Sequence, residues 1–257
     1  VERRILNVKL TPPSPEKIEG LHKQLDLRIA SPALSVDLRS KCPAIYDQGY
    51  LGSCTGFASA KGLREILDLI EGRPHTEFSA LFAYWNERSA EKTIDQDAGA
   101  QIVDAVAVLL HEGACPETLD PYEIGAFRTA PSREAFEAAK AHKVTDATHL
   151  RSVSTLIDCL AKGYPVIGGI PVYDGDNGLE SSQALVSGNV GMPNPGDNIA
   201  GGHAVVLVGY DLRSRTFLVR NSWGSNWGDR GYFRLPFDYV EQLANPATGD
   251  WWTVRIY

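Results

Sequence analysis

The chain has 257 residues, 25 basic and 32 acidic side chains for a net charge of -7, and 43% hydrophobic residues. An acidic balance without a Lys/Arg cluster argues against a nucleic-acid binder, whose affinity comes from phosphate neutralisation; the globular composition argues against disorder as the overall state. No apolar run approaches the roughly 20 residues that span a bilayer, so no membrane partner is expected.

Residues 1–34 carry Pro12, Pro13, Pro15 and Pro32, with one short helical stretch around Lys17–Leu25. Proline removes donors and fixes φ, so this part reads as an extension, either an arm along the surface or a remnant of an inhibitory pro-segment. The segment 35–142 reads as mainly helical. Leu63, Ile66, Leu67 and Ile70 recur at the amphipathic helix period, and Gly72 and Pro74 end that helix. Ser79–Glu87, Ile102–Leu110 and Ser132–His142 are three further helices, the middle one nearly all apolar. The segment 143–257 reads as strand-rich after one short helix at Ser154–Ala161. Its strands are Pro165–Val172, His203–Tyr210, Phe217–Arg220, Gly231–Leu235 and Trp251–Ile256. Helices first and strands second predict an α+β protein with two lobes. The long loop Asp174–Gly202, rich in Gly, Pro, Asn and Ser, is of the length that is usually functional and is expected to border the site.

The four cysteines, Cys42, Cys54, Cys115 and Cys159, are too few for a disulfide scaffold, and no C-x-x-C pair points to zinc. Cys42 and Cys115 form a candidate pair, and Cys159 lies in an apolar helix as a buried structural residue. Cys54 differs. It follows Gln48-Gly-Tyr-Leu-Gly-Ser and opens the amphipathic helix. Unpaired N–H groups and the macrodipole at a helix start favour a thiolate, the nucleophilic form. A cysteine nucleophile needs a proton acceptor and a group that orients it. His203 opens an apolar strand after Gly201-Gly202, and Asn221 follows the next strand in Asn-Ser-Trp-Gly-Ser-Asn-Trp-Gly. A hairpin between those strands makes His203 and Asn221 neighbours, with Trp223 and Trp227 covering their hydrogen bond.

With these motifs in order, the chain resembles the papain-like cysteine peptidases of the cathepsin family over about residues 35–257, and within them the bacterial or archaeal branch. The motifs are Gln48-Gly-x-x-Gly-Ser-Cys54, Gly202-His203-Ala204-Val205 with Val208-Gly209-Tyr210, and Asn221-Ser-Trp-Gly-x-x-Trp-Gly-x-x-Gly231-Tyr. Val36-Asp-Leu-Arg39 and the Pro121-Tyr122 pair also match. The resemblance implies a helical lobe and a β-barrel-like lobe with the site between them. It implies catalysis by Cys54, His203 and Asn221, an oxyanion hole using Gln48, and no metal or cofactor. Gly99, Gly202 and Trp223 are expected to contact substrate, Gly99 through its backbone. The family's disulfide next to the nucleophile is missing at both ends, where Leu51 and Asp97-Ala-Gly-Ala100 stand, and the aromatic after the nucleophile is Thr55. The expected activity is hydrolysis of peptide bonds in a peptide or protein substrate by a monomer. The alternatives are a transpeptidase or cyclase using the same thioester, or an inactive peptide-binding module. No signal-peptide core is present in the chain, so the expected location is the cytoplasm, or outside the cell after processing.

Overall fold

The computed structural model describes residues 4–257, so the first three residues of the predicted extension lie outside the described residues. The arm holds α1 (Pro15–Leu21), which Ser14 caps by accepting from the Lys17 amide while Pro15 stands at the first helical position. The arm returns to the body at β1 (Ser35–Asp37). The first half of the chain then forms α2 (Cys54–Gly56), a π-helical stretch Phe57–Arg64 and α3 (Glu65–Ile70), which run on as one helical rod. The rod is packed too tightly for ordinary side chains at two points. A Cβ on Gly56 would overlap the Ala80 carbonyl, and one on Gly62 would lie 2.7 Å from Val206. Further on come α4 (Ala80–Ala90), α5 (Ile102–His111) and α6 (Arg133–Ala139). Ser79 and Ser132 cap α4 and α6.

The second half holds β2 (Asp146–His149), α7 (Val153–Ala161), β3 (Val166–Tyr173), α8 (Ser182–Ser187), β4 (Ile199–Asp211), β5 (Thr216–Arg220), β6 (Tyr232–Pro236), α9 (Phe237–Gln242) and β7 (Trp251–Arg255). Every predicted strand is present within a few residues. The sequence reading missed β1, β2, α8 and α9, all short, and α8 lies inside the long loop.

The sheet is antiparallel in the order β2-β7-β3-β4-β5-β6, with β1 added to the end of β4. It is an open antiparallel sheet and does not close into a barrel. Each end strand is met by irregular chain instead of by the other end: Ala147 of β2 bridges His22 of the arm, and Arg234 of β6 bridges Asn189. One apolar cluster joins the helical rod and α5 to β4 and β7 through Leu63, Val103, Val206 and Trp252. A second fills the far side of the sheet around Leu207, Phe217, Trp227 and Trp251. The helical rod thus points its first residue, Cys54, at β4. No helix among the described residues is long and apolar enough to cross a membrane.

Candidate active site

Cys54 is the first residue of the rod and is fully buried. The Ala204 amide of β4 donates to its sulfur, which sets the thiol against the strand that carries His203. The hairpin of β4 and β5 does what its spacing predicts. Val206 pairs with Arg220, so His203, inside β4, lies near Asn221 just past the end of β5. The His203 Nε2 meets the Asn221 side-chain oxygen at 2.8 Å, and its buried Nδ1 has no hydrogen-bond partner. The Asn221 oxygen also accepts from the Ser222 amide at 2.8 Å, which fixes the amide's orientation and makes Nε2 the donor. Nδ1 is then the nitrogen left for the thiol. The Trp223 ring covers the imidazole at 4.7 Å, and Trp227 meets Trp223 edge-on at 5.2 Å.

Gln48 is fully buried and held at every polar end. Its backbone amide donates to the Ser222 carbonyl at 2.9 Å, and its side-chain oxygen accepts from the Ser222 hydroxyl at 2.7 Å. The side-chain nitrogen donates to the Leu51 carbonyl at 3.0 Å, leaving its second hydrogen free. The Tyr122 hydroxyl donates to the Gln48 carbonyl at 2.8 Å and meets the Ser53 hydroxyl at 2.6 Å. Ser222 and Tyr122 therefore hold the glutamine against the nucleophile's turn. The roles of both passed unseen in the sequence, although both lie within quoted motifs.

Asp97 explains how the site does without the missing disulfide. Its carboxylate accepts from the Gly52 amide at 3.0 and 3.1 Å and from the Tyr84 hydroxyl. Hydrogen bonds to Asp97 thus tie the nucleophile loop to the 97–100 segment, where the sequence lacks both cysteines. All four cysteines are free. Cys42 and Cys115 sit in different places, their thiols donating to the Leu38 and Pro116 carbonyls, so they do not pair. Thr55, in place of the expected aromatic, donates to the buried Glu87 carboxyl. Burial pushes Glu87 up to about 8, against the pull of that hydroxyl.

The arm lies across this site. Asn7 bridges Gly202 in parallel: the Val8 amide donates to the Gly202 carbonyl at 3.0 Å, and the Gly202 amide donates to the Leu6 carbonyl at 3.3 Å. On the opposite wall the Lys9 amide donates to the Ala100 carbonyl at 3.0 Å, and the Asn7 side chain donates to the Asp97 carbonyl at 2.7 Å. Gly99 has φ +64°, and a Cβ there would overlap Asn7, so only glycine leaves room for a strand. Its own amide is used by the Tyr84 hydroxyl, and the backbone hydrogen bond to the arm comes from Ala100. The Val8 side chain is 5% exposed and joins the core beside Ile102, Gly169 and Gly202.

Burial dominates the electrostatics. It pushes the Cys54 thiol up to about 12, outweighing the Ala204 amide and the amides at the helix start. It pushes His203 down to about 4, against the Asn221 bond, and the nearby Arg4 charge adds to the fall. Both shifts disfavour the charged thiolate and imidazolium forms. Among the described residues, no group of three or more His, Cys, Asp or Glu is gathered to hold a metal.

Comparison with known proteins agrees with this architecture. The family model for papain family cysteine protease matches residues 32–243. An uncharacterised peptidase C1-like protein of Acanthamoeba polyphaga mimivirus is 36% identical over 222 residues, covering 81% of this chain and 68% of that protein. A viral cathepsin of Spodoptera litura multicapsid nucleopolyhedrovirus is 28% identical over 206 residues, and the match spans 76% of this chain and only 54% of that protein. Among solved structures, xylellain, a cysteine protease from Xylella fastidiosa, superposes with a TM-score of 0.84 at 31% identity, covering 100% of this chain and 99% of that one. The procathepsin L 3 of Tenebrio molitor, at 23% identity and a TM-score of 0.68, shares the fold. A family model covering most of the chain, a relative above 30% identity and motifs converging on one cleft lead to one conclusion: the chain belongs to the papain family of cysteine proteases.

Proposed function

We propose that this chain is a cysteine endopeptidase whose arm holds it latent. The observation that supports this most is His203: Asn221 occupies its Nε2, while its buried Nδ1 stays without a hydrogen-bond partner. When the cleft is open, water and substrate replace the arm, and the thiol passes its proton to Nδ1. The helix-start amides and the Ala204 amide then stabilise the thiolate. The thiolate attacks the scissile carbonyl carbon, and the carbonyl oxygen becomes an oxyanion between the Gln48 side chain and the Cys54 amide. The C–N bond breaks as His203 gives its proton to the leaving amine, which leaves a thioester on Cys54. His203 then takes a proton from water, and the resulting hydroxide adds to the thioester carbonyl. The C–S bond breaks, releasing the acid and restoring the thiolate and imidazolium.

The latch follows from direction as well as coverage. The leaving amine must sit next to His203 and the Trp223 ring over it. Arg4 lies on that side, and Asn7 to Lys9 lie on the wall of Gly99 and Ala100. A substrate has its N-terminal half on the acyl side, so the arm runs the opposite way. A reversed strand can fill the cleft without presenting its carbonyl for attack.

The test is peptide cleavage, profiled by mass spectrometry, by the intact chain and by a Val8→Asp chain whose arm is loosened, each with Cys54→Ala as the blank. Cleavage is expected from the loosened chain and none from either blank. Cleavage that survives Cys54→Ala refutes the proposal, as does a loosened chain with a freely alkylated Cys54 that cuts no peptide.

A further inference from the structure

One charged side chain of the arm is held by body groups that the mechanism above leaves unused. The Arg4 guanidinium donates to both carboxylate oxygens of Asp47, at 2.6 and 3.2 Å. It donates to the Gly49 carbonyl at 3.1 Å and reaches the Trp223 carbonyl at 3.5 Å. The Tyr50 ring lies 5.8 Å from its central carbon, and that tyrosine is otherwise half exposed. Two acceptor segments distant in the chain and one aromatic face thus converge on a single cation.

The body, not Arg4, sets this arrangement. Asp47 and Trp223 form a backbone bridge, and the Gly224 amide donates to the Tyr46 carbonyl at 3.0 Å, so the two acceptor segments are stitched together. The Gly49 amide donates to the Asp47 carboxylate at 2.9 Å, which fixes that side chain before any cation arrives. Among the described residues Asp47 meets no cation other than Arg4. Its pairing with Arg4 and the Gly49 amide holds the carboxyl below its usual range despite partial burial. A planar guanidinium with several donors suits such a set better than a point charge does.

We infer that Asp47, the Gly49 and Trp223 carbonyls and the Tyr50 ring form a cation subsite on the leaving-group side of the cleft. It takes an arginine, and more weakly a lysine, of the peptide substrate once Arg4 has withdrawn. The inference rests on the peptidase reading above. It goes beyond that reading by naming the class of peptide selected: one with a basic side chain shortly after the scissile bond. The reversed direction of the arm is no obstacle, because a side-chain subsite recognises the charged end group and not the backbone polarity.

The test uses the full chain with Arg4→Gln, which empties the subsite, and Val8→Asp, which opens the arm; Val8→Ala replaces the second change should the first fold poorly. The first readout needs no turnover. A peptide with the sequence of residues 4–13 should slow iodoacetamide alkylation of Cys54, and the same peptide with neutral citrulline at its first position should need about fivefold more to do so. That factor is modest because the Arg4–Asp47 pair is partly solvated. The second readout compares kcat/KM for peptides differing only by arginine or citrulline at the first three leaving-side positions; the same factor of about fivefold is expected at one of them. Adding Asp47→Asn should erase both differences. Equal protection by the two competitor peptides overturns the subsite, and equal cleavage at all three positions overturns its role in substrate choice. A chain that discriminates the competitors but cuts nothing keeps the subsite and refutes the peptidase reading, so the two failures are distinguishable.

Discussion

Val8 gives the most direct measure of how strongly the arm closes the site. Its side chain is 5% exposed and packs into the core cluster with Ile102, against the open backbone of Gly169 and Gly202. Val8→Ala removes two buried methyl groups at about 0.8 kcal/mol each, so the front of the arm loses about 1.6 kcal/mol of binding. That multiplies the open population by about tenfold. Val8→Asp gives up the same apolar burial and adds the cost of placing a carboxylate among apolar groups, several kcal/mol more, so an increase above about 100-fold is expected. The opening is local, because the rest of the arm keeps its own anchors. α1 packs Ile18 and Leu21 on the core, Lys17 pairs with Asp104 at 2.7 Å, and Lys23 pairs with Asp146. The assay is the rate of Cys54 alkylation by iodoacetamide at pH 7, with the modified residue located by mass spectrometry and the fold checked by circular dichroism. When opening is fast compared with alkylation, the rate follows the open population. The expected order is wild type, then Val8→Ala, then Val8→Asp. Equal rates in three equally folded chains would falsify the closed-arm reasoning.

Gln48→Ala should lower kcat by about 10² with little change in KM, because the donor acts on charge that exists only in the tetrahedral intermediate. Ser222→Ala should lower kcat by about tenfold through the same glutamine, whose oxygen it holds at 2.7 Å; a change in KM alone would contradict a positioning role. Glu87, fully buried, is raised from 4.5 to about 8, so the folded state binds its proton more tightly than the unfolded state. Its contribution to stability is therefore complete below the unfolded value and is lost as pH rises towards 8, a loss of a few kcal/mol at 1.36 per pH unit. Glu87→Gln should flatten urea-unfolding free energies between pH 5 and 8; an unchanged slope would show that Glu87 is ionised in the fold.

The helices and strands that the sequence predicted are those with long apolar periods or flanking Gly and Pro, such as Leu63–Ile70, Ile102–Leu110 and His203–Tyr210. The four elements it missed are short and owe their form to partners elsewhere. β1 exists because β4 has a free edge at Tyr210, and β2 because β7 pairs with it over Asp146–His149. The candidate site residues were legible because such chemistry demands specific residue types in set places: a thiol at a helix start, an imidazole within one strand and an amide just past the end of its neighbour. Ser222 and Tyr122 act by orienting Gln48, and nothing in a serine or a tyrosine read alone announces that task. Asp97 shows the same limit from the other side. The sequence revealed that two cysteines were missing together but not that a carboxylate ties the same two segments.

What the sequence by itself determined is the local code: where the nucleophile's helix starts, which strands flank His203 and Asn221, and therefore which family the chain joins. Those features depend on neighbours a few residues apart and on motifs that fold as units. What only the tertiary structure decided is the state of the site and the course of residues 4–34. The prolines marked that segment as an extension, but extended backbone takes its partners from whatever surface offers unpaired amides and carbonyls. Here Gly202 and Ala100 offer them, and Arg4 and Val8 find a carboxylate and an apolar slot at either end of the same cleft. Those contacts join residues far apart in the chain, Arg4 with Asp47, Lys9 with Ala100 and Val8 with Gly202, and burial in the folded chain pushes the Cys54 thiol up.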